Sequence, residues 1–187
     1  LVQAYEQLER WDALVELKSP AEFAPMEAAV ICEERLGDLA RACQLYEAGL
    51  DSMSHRQDAF IALERIYSNG LAWGPLSTLL KRRAGWASSA VERQRYLRQA
   101  AHLEANQLDE VEQAFTDMLD AFNETMDDAL GAELAELAER GRGWEKLLER
   151  YTYAASRCSD NERAAHLYYR LAGWRLRLKK SNKAVLG

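Results

Sequence analysis

A short motif recurs along this chain at a fixed interval of 70 residues. The motif is Ser-x-x-Glu, and a tryptophan precedes each copy, with a leucine three residues after each tryptophan. Self-similarity at a fixed period is typical of stacked supersecondary units rather than of one closed globule. The motif copies are Ser19/Glu22, Ser89/Glu92 and Ser159/Glu162, and the tryptophans are Trp11, Trp73 and Trp144.

Apolar residues recur at helical spacing along nearly the whole chain, as in Leu76, Leu79 and Leu80. Alanine, leucine, glutamate and arginine are abundant and only 3 of 187 residues are proline, which favours helices over strands. Because the breakers between these segments are short, consecutive helices are expected to be antiparallel neighbours. The predicted helices cover 1–9, 11–18, 22–36, 38–51, 56–68, 73–86, 90–106, 109–122, 127–140, 144–157, 161–179 and a last one from 182 onward.

Local signals predict where several of these helices begin and end. The hydroxyls of Ser19, Ser89 and Ser159 are placed to accept a hydrogen bond from a first-turn amide, and the glutamate three residues later would reach back. Gly70 and Gly141 favour helix ends. The three matched tryptophans are interpreted as packing anchors between helices, with ligand stacking as the alternative.

The segment Leu36–Asp51 resembles the second helix of a tetratricopeptide repeat (TPR). It follows a Gly-Asp turn and carries a small residue, an aromatic four positions later and a second small residue three further on, here Ala42, Tyr46 and Gly49. The frame restarts at an average spacing of 34 residues, which is the TPR period. Its first positions are Leu14, Ala42, Leu76, Ala114, Leu147 and Ala184.

This resemblance implies an all-α fold, an α-α superhelix or solenoid of about five antiparallel helical hairpins. The first helices lack the Trp-x-x-Leu-Gly-x-x-Tyr pattern of the family, which leaves a divergent TPR-like or another α-solenoid array open. We expect residues 1–187 to form a single TPR-like helical-repeat domain. We also expect a segment of a longer chain, because both ends fall within predicted helices.

No catalytic, cofactor or metal motif is recognisable in the sequence. His55, His102 and His166 are far apart, and no glycine-rich phosphate loop occurs. The net charge of −6 argues against nucleic-acid binding, and the absence of a long apolar run argues against membrane insertion. Three isolated cysteines suit a reducing compartment. We therefore expect a cytoplasmic protein that is not an enzyme and that has no cofactor and no metal.

Two groups of side chains have a functional interpretation. The basic residues of 81–83 and 93–98 predict either ordinary pairing with nearby acids, which is favoured, or a surface for an acidic peptide or phosphate. Trp174, beside Arg175 and Arg177, predicts a surface hot spot for binding.

The resemblance implies a non-enzymatic scaffold that binds a protein or peptide partner in a concave groove lined by the first helices of its hairpins. The alternative is the regulatory or sensory repeat array of a larger enzyme such as a kinase or protease. A third hypothesis is a solenoid that is itself catalytic or binds nucleic acid. Exposed end faces would also allow end-to-end self-association. The groove positions implied by the resemblance are Glu34, Arg65, Asn69, Arg95, Arg98, Glu136 and Arg140.

Overall fold

The computed structural model describes residues 10–18, 25–126 and 128–185. Within these ranges the chain is almost entirely helical and contains no β-strand, which confirms the predicted all-α class. A π-helical turn, Cys32–Leu36, continues the helix Pro25–Ile31, and a 3-10 turn, Asp128–Leu130, precedes the helix Gly131–Arg140. The helices are α1 (Trp11–Lys18), α2 (Pro25–Ile31), α3 (Leu39–Gly49), α4 (Arg56–Asn69), α5 (Trp73–Gly85), α6 (Ala90–Gln107), α7 (Val111–Thr125), α8 (Gly131–Arg140), α9 (Trp144–Arg157) and α10 (Asn161–Val185).

Most helix boundaries lie within a few residues of the predicted ones, and the main difference is in α10. The predicted break between residues 179 and 182 is wrong, because α10 runs without interruption to Val185. The polar pair Ser181 and Asn182 has only a modestly poorer helix propensity than alanine, and no glycine or proline stands there to end the helix. The predicted helix over 1–9 lies outside the described residues.

The three predicted capping serines have three different outcomes. Ser89 caps α6, since its hydroxyl accepts a hydrogen bond from the Glu92 amide at 3.1 Å. Ser159 was predicted to cap α10, and this is wrong: Asp160 Oδ1 accepts from the amides of Glu162 and Arg163, at 2.9 and 3.1 Å. An ionised carboxylate is a stronger acceptor than a hydroxyl. Ser19 lies outside the described residues.

Gly70 and Gly141 end α4 and α8 as predicted. Neither glycine has a positive φ; the left-handed residues are the next ones, Leu71 (φ 52°) and Arg142 (φ 55°). At Gly141 a side chain would be sterically crowded, because a Cβ there would lie 3.3 Å from the Leu137 carbonyl oxygen.

Contacts between Cα atoms divide the chain into two compact units, residues 1–79 and 80–187. A single repeat domain over 1–187 therefore stays a prediction. In the first unit α3 packs against α2 and α4. Gly49 of α3 approaches both neighbours, since a Cβ there would lie 2.9 Å from Met26 Sδ and 3.2 Å from Ala59 Cβ.

The second unit has one continuous apolar core contributed by α6 to α10. Phe122 stacks on Tyr151 with ring centroids 4.4 Å apart, and Trp174 meets Tyr151 edge-on at 4.7 Å. Trp174 is only 8% exposed, so its predicted role as a surface hot spot is wrong. Trp144 packs edge-on against Trp174 at 5.8 Å, which confirms it as a packing anchor.

The repeated frame predicts burial correctly. Its first positions are buried wherever their side chains are described, and so are the aromatic or large positions four residues later. Ala184 lies outside the described side chains. The buried frame residues are Leu14, Ala42, Tyr46, Leu76, Leu80, Ala114, Met118, Leu147 and Tyr151.

Candidate partner-binding groove

In the 80–187 unit, α6 and α8 both pack against α7 and enclose a small cavity of about 140 Å³ between them. Ala101 and Ala105, one turn apart on α6, line this cavity, and their small side chains leave room for it. Met118 of α7 and Leu137 of α8 complete an apolar floor, and the rim is polar. We call this feature the α6/α8 groove. Its polar rim residues are His102, Asn106, Glu133, Glu136 and Arg140.

Glu133 joins the two helices that form the groove. Its carboxylate accepts from Arg98 through Nε at 2.9 Å and Nη2 at 2.5 Å, and it lies 3.0 Å from His102 Nε2. A two-pronged guanidinium–carboxylate contact fixes orientation better than a single hydrogen bond does. Because Arg98 and His102 are four residues apart on α6, one carboxylate on α8 reaches both.

Arg140 joins the helices a second time, near the C-terminal end of α6. Its Nη2 donates to the Ala105 carbonyl oxygen at 2.7 Å. This carbonyl belongs to the last turn of α6, where no intrahelical amide is in place to donate to it. The groove is therefore tied at both ends by an arginine.

Three of the predicted groove residues meet here, namely Arg98, Glu136 and Arg140. Arg95 does not line the cavity; its guanidinium lies over the Tyr96 ring, 4.7 Å from the centroid. Glu133 is not among the groove positions that the resemblance implies. The signal for it is the spacing of Glu133, Glu136 and Arg140 along one face of α8.

The other three predicted groove residues belong to the 1–79 unit. Glu34, Arg65 and Asn69 are all exposed. Arg65 Nη2 lies 2.5 Å from Glu33 Oε1, and Glu33 also accepts from the Tyr46 hydroxyl at 3.0 Å. Burial and this hydrogen bond raise the pKa of Tyr46. Arg65 thus has a structural partner that its exposed position on α4 did not predict.

The basic residues of 81–83 and 93–98 are largely paired, which confirms the ordinary interpretation. Arg83 pairs with Glu92 at 3.0 Å and Arg93 with Glu124 at 2.8 Å. Lys81 Nζ reaches two buried carboxylates, Glu104 at 2.6 Å and Asp117 at 3.2 Å. These pairs place an acidic side chain beside Lys81, Arg83 and Arg93.

Within residues 10–18, 25–126 and 128–185, no group of three or more histidine, cysteine, aspartate or glutamate residues is arranged to hold a metal ion. No helix in the same ranges is both long enough and apolar enough to cross a bilayer.

Comparison with protein-family models, curated proteins and solved structures finds no significant match to this chain. The TPR resemblance therefore stays a prediction that rests on the frame residues. The α6/α8 groove stands on its geometry alone.

Proposed function

We propose that this chain is a non-enzymatic interaction scaffold of TPR-like repeats that binds a peptide or protein partner in the α6/α8 groove. The observation that carries the proposal is a small apolar floor inside a polar rim with charges of both signs. Small-molecule sites usually enclose roughly 300–1,000 Å³. The groove cavity, at about 140 Å³, is better matched to one apolar side chain of a partner.

The rim charges suggest what flanks that side chain. Arg140 uses Nη2 on Ala105, and a guanidinium carries five N–H donors, so others remain for a partner. Glu136 is an exposed carboxylate one turn away on the same helix. A suitable partner therefore has an apolar residue with an acidic group placed toward Arg140 and a basic group toward Glu136.

A displayed peptide library selected on the 187-residue chain tests the proposal. Binding of the selected peptides is measured by fluorescence anisotropy on the native chain and on Glu136→Arg. We expect the variant to weaken binding about tenfold, equivalent to about 1.4 kcal/mol, through a like-charge contact with the basic group. Glu149→Arg is the matched control, because Glu149 is an exposed helical glutamate on α9, outside the groove.

The control should change the dissociation constant less than about twofold. Equal binding by the native chain and Glu136→Arg would contradict the groove assignment. Failure to select any peptide would contradict the scaffold proposal itself.

A further inference from the structure

The last helix, α10, has two apolar sides, and only one of them is used within the described structure. Leu167, Leu171 and Trp174 are buried in the core of the 80–187 unit. On the other side Tyr169 is 83% exposed and Leu176 is 61% exposed. Large apolar side chains that are this exposed and two turns apart on one helix face indicate a docking surface.

The exposed side of α10 has a coiled-coil spacing. Six exposed residues follow one another at intervals of three, four, three, four and three, which is the a/d pattern of a heptad repeat. We call them the α10 stripe. They are Glu162, Ala165, Tyr169, Ala172, Leu176 and Lys179.

The α10 stripe is complementary to itself when it is reversed. Its midpoint falls between residues 170 and 171, and each residue has its counterpart at the same distance on the other side. Rotation about that midpoint places Tyr169 opposite Ala172 and Leu176 opposite Ala165, so each large side chain meets a small one. It also places Glu162 opposite Lys179 at both ends, where the charges attract.

We propose that the α10 stripe pairs antiparallel with the α10 stripe of a second copy of this chain. Such an interface is isologous, as the interface of any two-fold dimer is. A parallel pair would place Glu162 against Glu162 and Lys179 against Lys179, which repel. The order of charges along the stripe therefore favours a second copy of the chain as the partner and an antiparallel orientation of the two helices.

The size of the stripe sets the expected strength. From Glu162 to Lys179 the helix rises about 26 Å at 1.5 Å per residue. A single helix pair of this length falls at or below the low end of stable interfaces, about 1,200 Å². We therefore expect a dimer with a dissociation constant in the range of about 1 to 50 μM.

Sedimentation equilibrium of the 187-residue chain, from about 1 to 200 μM, tests the proposal. Tyr169→Glu should raise the dissociation constant at least about a hundredfold, because it puts two carboxylates against small apolar positions. Tyr153→Glu is the control, since Tyr153 is an exposed tyrosine on α9, outside the stripe. Far-UV circular dichroism should be unchanged in both variants.

Charge reversal tests the antiparallel direction. Glu162→Lys and Lys179→Glu, taken singly, should each weaken the dimer about three- to tenfold. The two changes together should restore the native affinity, because they exchange the charges at both ends. A chain that stays monomeric, a dimer insensitive to Tyr169→Glu, or a double variant no tighter than the single ones would overturn the proposal.

Discussion

Lys81 belongs to an ion cluster with two buried carboxylates. Its replacement should cost much more stability than the replacement of an exposed lysine. Lys81 Nζ lies 2.6 Å from Glu104 and 3.2 Å from Asp117, and these acids are only 1% and 7% exposed. Lys81→Met keeps the apolar stem and removes the cation. Breaking a buried pair by deleting one partner costs about 3–5 kcal/mol, and the lower value is expected here because the Lys81 side chain is 32% exposed. Because domains are stable by only about 5–15 kcal/mol, the free energy of unfolding should fall substantially.

The direction of the Lys81 pKa shift determines how its contribution to stability changes with pH. Burial alone would lower the pKa of Lys81, but the hydrogen bonds to Glu104 and Asp117 outweigh it and raise that pKa. The stabilisation is thus complete below the unfolded pKa of about 10.4 and is lost only as pH rises through the folded value. In Lys81→Met the two carboxylates lose this cation but stay buried, and burial disfavours the charged form of a carboxyl group. The deficit in stability should therefore shrink as pH falls.

Urea unfolding at about pH 7.5 and about pH 5 measures both effects. We expect Lys81→Met to lose about 3 kcal/mol at the higher pH and less at the lower one. Adding Glu104→Gln should recover part of the loss, since it removes one buried charge. Lys146→Met is the control, and its exposed lysine should matter by less than about 0.5 kcal/mol. A loss below about 1 kcal/mol at pH 7.5, or no recovery with Glu104→Gln, would refute the reasoning.

Two further pairs of substitutions test local packing and capping by thermal unfolding. Gly143→Ala should destabilise by about 1–3 kcal/mol, because its Cβ would lie 2.7 Å from the Phe115 ring, whereas Gly74→Ala meets nothing within 4 Å and should not. Similar midpoints for both alanine variants would contradict this close contact. Asp160→Ala should cost about 1 kcal/mol by removing the cap of α10, and Ser159→Ala should cost less than about 0.5 kcal/mol. The reverse order would reinstate Ser159 as the cap.

The helices could be predicted from the sequence because their signals are local. Apolar spacing, short breakers and the repeated frame all act within one or two turns, and burial of Ala42, Tyr46 and Leu147 follows from them. The errors occur where two local signals compete. Ser159 and Asp160 are both residue types that can cap α10. Asp160 is the cap because the helix begins directly after it.

Tertiary placement was harder to predict. Trp174 lies among basic residues in the sequence, yet its ring packs on Tyr151, 23 residues earlier in the chain. In the groove, Arg98 and Glu133 are separated by 35 residues, and their pairing depends on the register of α6 against α8. Periodicity places each residue on a helix face but does not specify which residue of another helix it meets. Arg98, Glu136 and Arg140 lie around one groove, but the TPR resemblance that implied them stays a prediction.

The α6/α8 groove and the α10 stripe differ in what they contribute to the fold. Variants can therefore test them separately. The groove is tied by Arg98 to Glu133 and by Arg140 to Ala105, so a partner meets helices already held in position and little ordering is needed on binding. The α10 stripe contributes nothing to the core of its own unit, as the exposure of Tyr169 and Leu176 indicates. A stripe variant can therefore lose the dimer while the groove and the fold persist. Loss of peptide binding together with the dimer would mean that the two surfaces are coupled.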